Sequence, residues 1–370
     1  MEGLKVSTRR TSVAGPKVVT RGAIARGSRS GAGGVNPQPQ KKRSRQPLQP
    51  QKKRSRQPSK KVEDVADEVL TPGWEARGAR PDQGRGSQVE PSGFDVPDVK
   101  NVQAVVPYLI EIHQHYRETE GLKHASPSYM SKHADINARM RSILIDWLVE
   151  VHLKFKLMPE TLYLTVNLID RFLEKEQSIM REKLQLVGVT AMFMASKYEE
   201  IYAPECFDFV YISDKAYTRD EILRMEGLML ARLNFQLTAP NAFVFVKRFA
   251  KVAGIATTPR STTELLANYL VELTLQDYKM LKYLPSTICA SAVYLALKTS
   301  EQTPWTPDLE KHSTYKEADL LHACVRDIHE LHGKASSGLQ AVHRKYSHKK
   351  YANVSSIAPA DDFFLSLLVF

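Results

Sequence analysis

The sequence predicts an all-α protein: two tandem bundles of about five helices each, behind a disordered basic tail. Three observations carry that reading. From about residue 101 apolar residues recur at helical spacing, with few Pro or Gly between them. Two stretches, 184–198 and 288–297, are apolar almost all round, as a buried central helix of each bundle must be. No segment alternates with the period of two that a half-buried strand needs.

The tail comes first. Residues 1–100 are rich in Gly, Pro, Gln, Ser and Arg and poor in large apolar side chains. Such a segment cannot bury enough surface to offset the entropy of ordering. Residues 1–60 hold 16 Lys/Arg against the single acid Glu2, while the remaining 310 residues hold 36 basic and 40 acidic groups. The net charge of +11 is therefore a property of the tail, and a near-neutral body argues against a nucleic-acid-binding core. The tail repeats PQKKRSRQP at 39–47 and 50–58, giving the clusters Lys41, Lys42, Arg43, Arg45 and Lys52, Lys53, Arg54, Arg56. Clusters of this kind serve nuclear import, contact nucleic acid weakly, or are merely solvated charge; import is the favoured reading.

In the first bundle, Met140, Ile143, Leu144, Trp147, Leu148 and Val151 follow the i, i+3, i+4, i+7 pattern. Pro159 stands at a first helical position ahead of Leu162, Leu164, Val166, Leu168, Ile169 and Phe172. The central helix follows over 184–198. Thr218 with Glu221 three residues on forms a capping-box pattern that opens a helix through Leu223, Met225, Leu228, Leu230 and Leu233. The second bundle opens with an apolar helix from Ala242 to Phe249. Ser261 and Glu264 form a second capping-box pattern, before Leu265, Leu266, Tyr269, Leu270 and Leu273. Pro285 precedes the second central helix. Thr314 and Glu317 form a third such pattern, expected to cap one helix through Leu320, Cys324, Val325, Ile328 and Leu331. The implied division is 1–100 regulatory tail, 101–237 first bundle with a leading helix, 238–350 second bundle, and 351–370 a C-terminal tail.

Several function classes lack their residues. There is no Gly-x-x-x-x-Gly-Lys phosphate loop and no Gly-x-Ser-x-Gly elbow. His329 and His332 are spaced one residue short of a zinc-protease helix. Cys206, Cys289 and Cys324 form no Cys-x-x-Cys pair, so neither a zinc site nor a disulfide framework is expected, and a reducing compartment fits. No apolar signal core follows the N-terminus and no run of about 18 apolar residues appears, so no membrane partner is expected. The chain reads as no enzyme, with no cofactor and no metal.

The stretch MRSILIDWLVEVHLKFKLMPETLYLTVNLIDRFL (140–173) resembles the signature of the cyclin box. ASKYEEIYAPE (195–205) and YTRDEILRMEGLMLARLNFQL (217–237) continue it in family order. YLVELTLQDYKMLKYLPSTICASAVYLALK (269–298) and AVHRKYSHKKY (341–351) resemble the second box of mitotic cyclins. EVHLKFKLMPETLYL leans to the B type, with the A type second. The resemblance covers about residues 100–350 and implies a non-enzymatic subunit that binds and activates a cyclin-dependent serine/threonine kinase, controls the G2/M transition and mitosis, and helps recruit substrates.

The resemblance carries roles to particular positions. Lys197 and Glu226 match the family's pair that holds the kinase beside its regulatory αC helix. Phe235 and Leu237 match apolar contacts to the same element, and Tyr198 and Glu199 adjoin Lys197 in that interface. Spacing alone makes Lys197 a solvated helix-end cation and Glu226 a solvated face charge. Met140, Leu144, Trp147, Glu150 and Gln185 match a docking patch for Arg-x-Leu substrate segments, in which Glu150 meets the Arg and the apolar trio takes the Leu. Spacing alone makes the same trio a core stripe. Leu148 and Val151 are expected on the true core face, and Arg141 and Asp146 are expected to pair across helices as structural groups.

Two features depart from the family. Its Arg-x-x-Leu destruction signal appears only in the degenerate forms Arg21-Gly-Ala-Ile24, Arg10-Thr-Ser-Val13 and Arg45-Gln-Pro-Leu48. Recruitment of ubiquitin-ligase machinery through the tail, like that of an import receptor, thus stays an expectation, and both imply a nuclear and cytoplasmic protein. The end, DDFFLSLLVF, does not resemble the family's tail. Two other classes compete: a cyclin-fold transcription factor, which needs a basic second repeat, and a cyclin-fold nuclear scaffold, which would bind peptides but no kinase.

Overall fold

The computed structural model describes residues 92–256, 261–302, 305–320 and 323–360. The basic clusters, the degenerate destruction signals and the apolar end at 361–370 lie outside the described residues. The described residues form thirteen α-helices and no strand, so the core is built by helix-on-helix packing alone.

A leading helix, α1 (Leu109–Thr119), precedes the first bundle of α2 (Ala138–Phe155), α3 (Pro159–Lys175), α4 (Arg181–Glu199), α5 (Cys206–Ile212) and α6 (Arg219–Arg232). The start of α2 is fixed by the Asn137 side chain, which accepts the Met140 N–H at 3.0 Å. Pro159 opens α3 as expected. Helix α4 is buried from Leu186 through Ser196 and packs against α2, α3, α5 and α6. At α6 the capping box is complete: Thr218 Oγ1 accepts the Glu221 N–H, and Glu221 accepts the Thr218 N–H at 3.0 Å. That backbone donor, with the Lys183 ammonium and the Thr218 hydroxyl, holds the Glu221 carboxyl down to about 2.

The second bundle comprises α7 (Ala242–Val252), α8 (Thr262–Gln276), α9 (Pro285–Thr299), α10 (Pro307–Ser313), α11 (Glu317–Leu320), α12 (Cys324–Lys334) and α13 (Ala341–Tyr346). Helix α9 is the second central element and packs against α7, α8, α11 and α12. Two expected caps are corrected. The Ser261 side chain makes no capping bond, and the Glu264 carboxylate, the other half of the expected box, pairs with the Lys247 ammonium, a stronger charge-assisted contact than a backbone N–H offers. Thr314 ends α10 in the left-handed region (φ 64°), and its hydroxyl accepts from Arg117. The helix expected through 317–331 is divided into α11 and α12, with Ala323 in a non-helical conformation before α12.

The leading segment lies on the second bundle. Asp95 makes a bidentate ion pair with Arg248 (2.7 and 3.0 Å), both almost fully buried. Tyr116 meets Phe245 edge-on at 6.4 Å, and Arg117 donates to Ser286 Oγ at 2.9 Å. Glu120, also buried, accepts the Ser286 N–H and Oγ–H at 2.9 and 2.6 Å.

One contiguous apolar cluster runs through both bundles. Arg141 ties them together. It is buried, paired bidentately with Asp170 of α3 at 2.6 Å, and donates to the Leu275 carbonyl of α8 at 3.0 Å. Tyr129 completes the network by donating to Asp170 at 2.8 Å. Asp146 crosses separately, accepting from Gln276 Nε2 at 2.7 Å and the Ala341 N–H at 2.8 Å. Leu148 and Val151 are buried on the core face of α2.

Candidate partner-binding site

The last turn of α4 leaves the core, and the side chains change character there. Ser196 is fully buried, while Lys197 is exposed and Tyr198 is 48% exposed. The Lys197 ammonium lies 4.1 Å from the centre of the Phe193 ring and pairs with the Glu226 carboxylate of α6. The lysine side chain stays 43% accessible and the glutamate 14%, so a partner meets the cation first. A cation at this position also suits the negative end of the α4 dipole.

After α6 the chain makes a strained turn. Asn234 and Phe235 both take positive φ (52° and 57°), a conformation that costs a non-glycine residue roughly 1–2 kcal/mol. The result is that Phe235 stands 72% exposed, while Leu237 folds back to pack on the core. The Tyr198 hydroxyl bonds to Thr238 Oγ1, which ties the end of α4 to this turn. Lys123, just beyond α1, reaches the same turn through the Gln236 side chain. Burial, together with the carboxylates of Glu160 and Glu200, pushes the Glu199 pKa up. A cation brought by a partner would relieve that repulsion.

Lys197 and Tyr198 at the end of α4 are thus tied to Glu226 of α6 and to the turn that carries Phe235 and Leu237, while Glu199 lies beside Glu160 and Glu200. Sequence reasoning missed Ile201 and Tyr202 beside them, 88% and 92% exposed. Their signal was two large apolar residues in EEIYAPE outside any helical pattern. An exposed apolar rim around an ion pair suits a protein surface better than a small molecule. Among the described residues no group of His, Cys, Asp or Glu is placed to hold a metal, and no helix is long and apolar enough to cross a membrane.

The second candidate group lies along α2. Met140 and Trp147 are half-buried, and Ile143, which the sequence reading left out of the patch, is exposed between them. Leu144 turns inward: it is buried against Gly188 of α4, where an added Cβ would lie 2.7 Å from Leu144 Cδ1. Gln185 is half-buried on α4. Glu150 is exposed at the C-terminal side of the ridge and is paired with Arg344 of α13.

The comparisons with known proteins agree with this architecture. The cyclin N-terminal domain model matches residues 111–238, and the cyclin C-terminal domain model matches 240–360. The chain is 48% identical over 278 residues to Cyclin-B2-4 of Arabidopsis thaliana, covering 74% of this chain and 63% of that protein. It is 47% identical over 269 residues to G2/mitotic-specific cyclin-1 of Medicago sativa subsp. varia, covering 72% and 61%. To G2/mitotic-specific cyclin-2 of Medicago sativa it is 47% identical over 269 residues, covering 72% and 80%. The chain thus spans about three fifths of the length of the first two relatives and four fifths of the third. A viral cyclin of herpesvirus saimiri, solved by X-ray crystallography, shares the fold with a TM-score of 0.55 at 20% identity, over 63% of this chain and 99% of that one. Two cyclin domains in tandem on an all-helical scaffold, with near-half identity to mitotic B2-type relatives, place this chain in the cyclin family, on its B-type mitotic branch.

Proposed function

We propose that this chain is a non-catalytic regulatory subunit that binds and activates a cyclin-dependent serine/threonine kinase and so controls the G2/M transition and mitosis. The observation that carries the reading is the Lys197–Glu226 pair, set among the exposed Tyr198, Ile201, Tyr202 and Phe235. A rigid apolar face of this kind fits the kinase αC helix only in its inward position. There the αC glutamate can pair with the β3 lysine, and the activation loop is released from the substrate cleft. Activation is then a population shift, driven by tighter binding to the active arrangement.

Substrate recruitment belongs to the Met140, Ile143, Trp147 ridge with Glu150 and Gln185. The tail would carry the import clusters and the destruction signal, with a nuclear and cytoplasmic distribution. The test is histone-kinase activity of a purified mitotic cyclin-dependent kinase mixed with the full chain, wild type beside Lys197→Ala/Glu226→Ala. Activation by the wild type, lost in a folded double variant, is the expected result. Absence of both activation and kinase binding with the fold intact would move the function to a scaffold.

A further inference from the structure

Glu150, the acid assigned to a substrate arginine, already has an arginine. It comes from the same chain, 194 residues away, on the other bundle. Helix α13 presents it from a fixed position. The Ala341 N–H donates to Asp146 of α2 at 2.8 Å, which anchors one end of α13 one turn before Glu150. The Lys345 ammonium, buried next to Arg344, binds both oxygens of Glu272 at 2.6 and 2.7 Å, and the Tyr346 hydroxyl donates to Glu272 at 3.0 Å. Arg344 is therefore flanked by polar contacts on both sides, the Asp146 bond half-buried and the Glu272 cluster buried. The pair itself is open to water, with Arg344 59% and Glu150 50% accessible.

We infer that Arg344 is a specificity-determining residue of the docking patch, an internal competitor that occupies Glu150 until a ligand arginine displaces it. The inference rests on the docking reading of the α2 ridge. An exposed ion pair is weak, so Arg344 does not close the patch. It removes most of what a ligand arginine would gain, because that arginine must exchange one guanidinium for another on the same carboxylate. The patch then selects chiefly through the apolar residue that packs on Met140, Ile143 and Trp147. Ligands with a small or neutral residue in place of the arginine lose little.

Binding of two fluorescein-labelled peptides to the full chain tests this: one carrying Arg-x-Leu, the other Ala-x-Leu. Wild type, Arg344→Ala and Met140→Ala are compared, with circular dichroism to check folding. Arg344→Ala should tighten the Arg-x-Leu peptide roughly two- to five-fold and leave the Ala-x-Leu peptide unchanged. The gain should shrink as salt is raised. Equal affinities of wild type and Arg344→Ala for the Arg-x-Leu peptide, with binding lost in Met140→Ala, would overturn the competitor role and leave the patch standing. Binding of the Arg-x-Leu peptide alone, with no binding of Ala-x-Leu, would overturn the inference and leave the patch; failure of both peptides to bind wild type and Arg344→Ala would overturn the patch reading and the inference with it. If Arg344→Ala misfolds, Arg344→Gln repeats the comparison, since it keeps the stem and removes only the charge.

Discussion

Lys197 and Glu226, the two residues expected to hold the kinase, are bonded to each other in the free chain. They are not waiting as separate charges. A partner must insert into, or share, a pair that each side chain already satisfies. This has opposite consequences for folding and for binding.

The Lys197–Glu226 pair is partly exposed, so its loss should scarcely affect the fold. The Lys197→Ala/Glu226→Ala protein should unfold within about 1 kcal/mol of wild type. Its affinity for the kinase should drop by about 2–5 kcal/mol, because in the complex the same groups are desolvated. Denaturant titration and kinase-binding calorimetry on the same preparation would measure both.

Asp170 should behave the other way. It takes a bidentate pair from Arg141 and a bond from Tyr129, all in the interior. Asp170→Ala leaves a buried guanidinium uncompensated and should cost roughly 3–5 kcal/mol. The chemical-denaturation midpoint should fall, without a change specific to kinase affinity once the residual folded fraction is accounted for.

Gly188→Ala would drive a methyl into Leu144, whose Cγ, Cδ1 and Cδ2 all lie within 3.2 Å of the new Cβ. The helix interior gains about 1 kcal/mol from losing the glycine, which offsets part of an overpacking cost of about 1–3 kcal/mol. The net change in stability should be small. Leu144 must rotate beneath Met140 and Trp147, so the peptide affinity of the α2 ridge should fall more than the stability does.

Mild acid should weaken the fold through its buried histidines. Burial holds His113, His152 and His332 neutral, each with its pKa pushed down to about 4. The unfolded chain takes up these protons near pH 6.5, whereas the folded chain refuses them until about pH 4. The unfolded state thus binds more protons in that window, and stability falls as pH drops through it. The slope should approach about 1.4 kcal/mol per pH unit for each histidine. His332→Gln should flatten the measured slope, since burial also lowers His113, His152 and His312; an unchanged slope would refute the assignment.

The helical layout was legible because its signals are local. The two central helices announce themselves by apolar residues on every face, and Thr218 with Glu221 caps α6 as its spacing implies. The same spacing at Ser261 and Glu264 gives no capping box: Ser261 makes no cap bond, and Lys247, seventeen residues upstream of Glu264 and on another helix, takes the carboxylate. Spacing could not decide whether Leu144 faced the core or a ligand, since both faces of α2 are apolar; the approach of Gly188 decides it. Ile201 and Tyr202 sit in a loop, where no periodicity marks exposure. Arg344 on Glu150 was beyond reach, because nothing local links positions in different bundles.

The clasp between Asp95 and Arg248 sets a timetable for synthesis. The acid leaves the ribosome 153 residues before its arginine. At the usual pace of about 5–20 residues per second, the leading segment waits roughly 8–30 s with its carboxylate in water and its apolar side chains unclaimed. The first bundle can condense during that pause, but the leading segment meets its arginine only when α7, the first helix of the second bundle, has been made. Nascent chains stalled shortly before Arg248 should therefore be the ones most exposed to proteases and most in need of a chaperone.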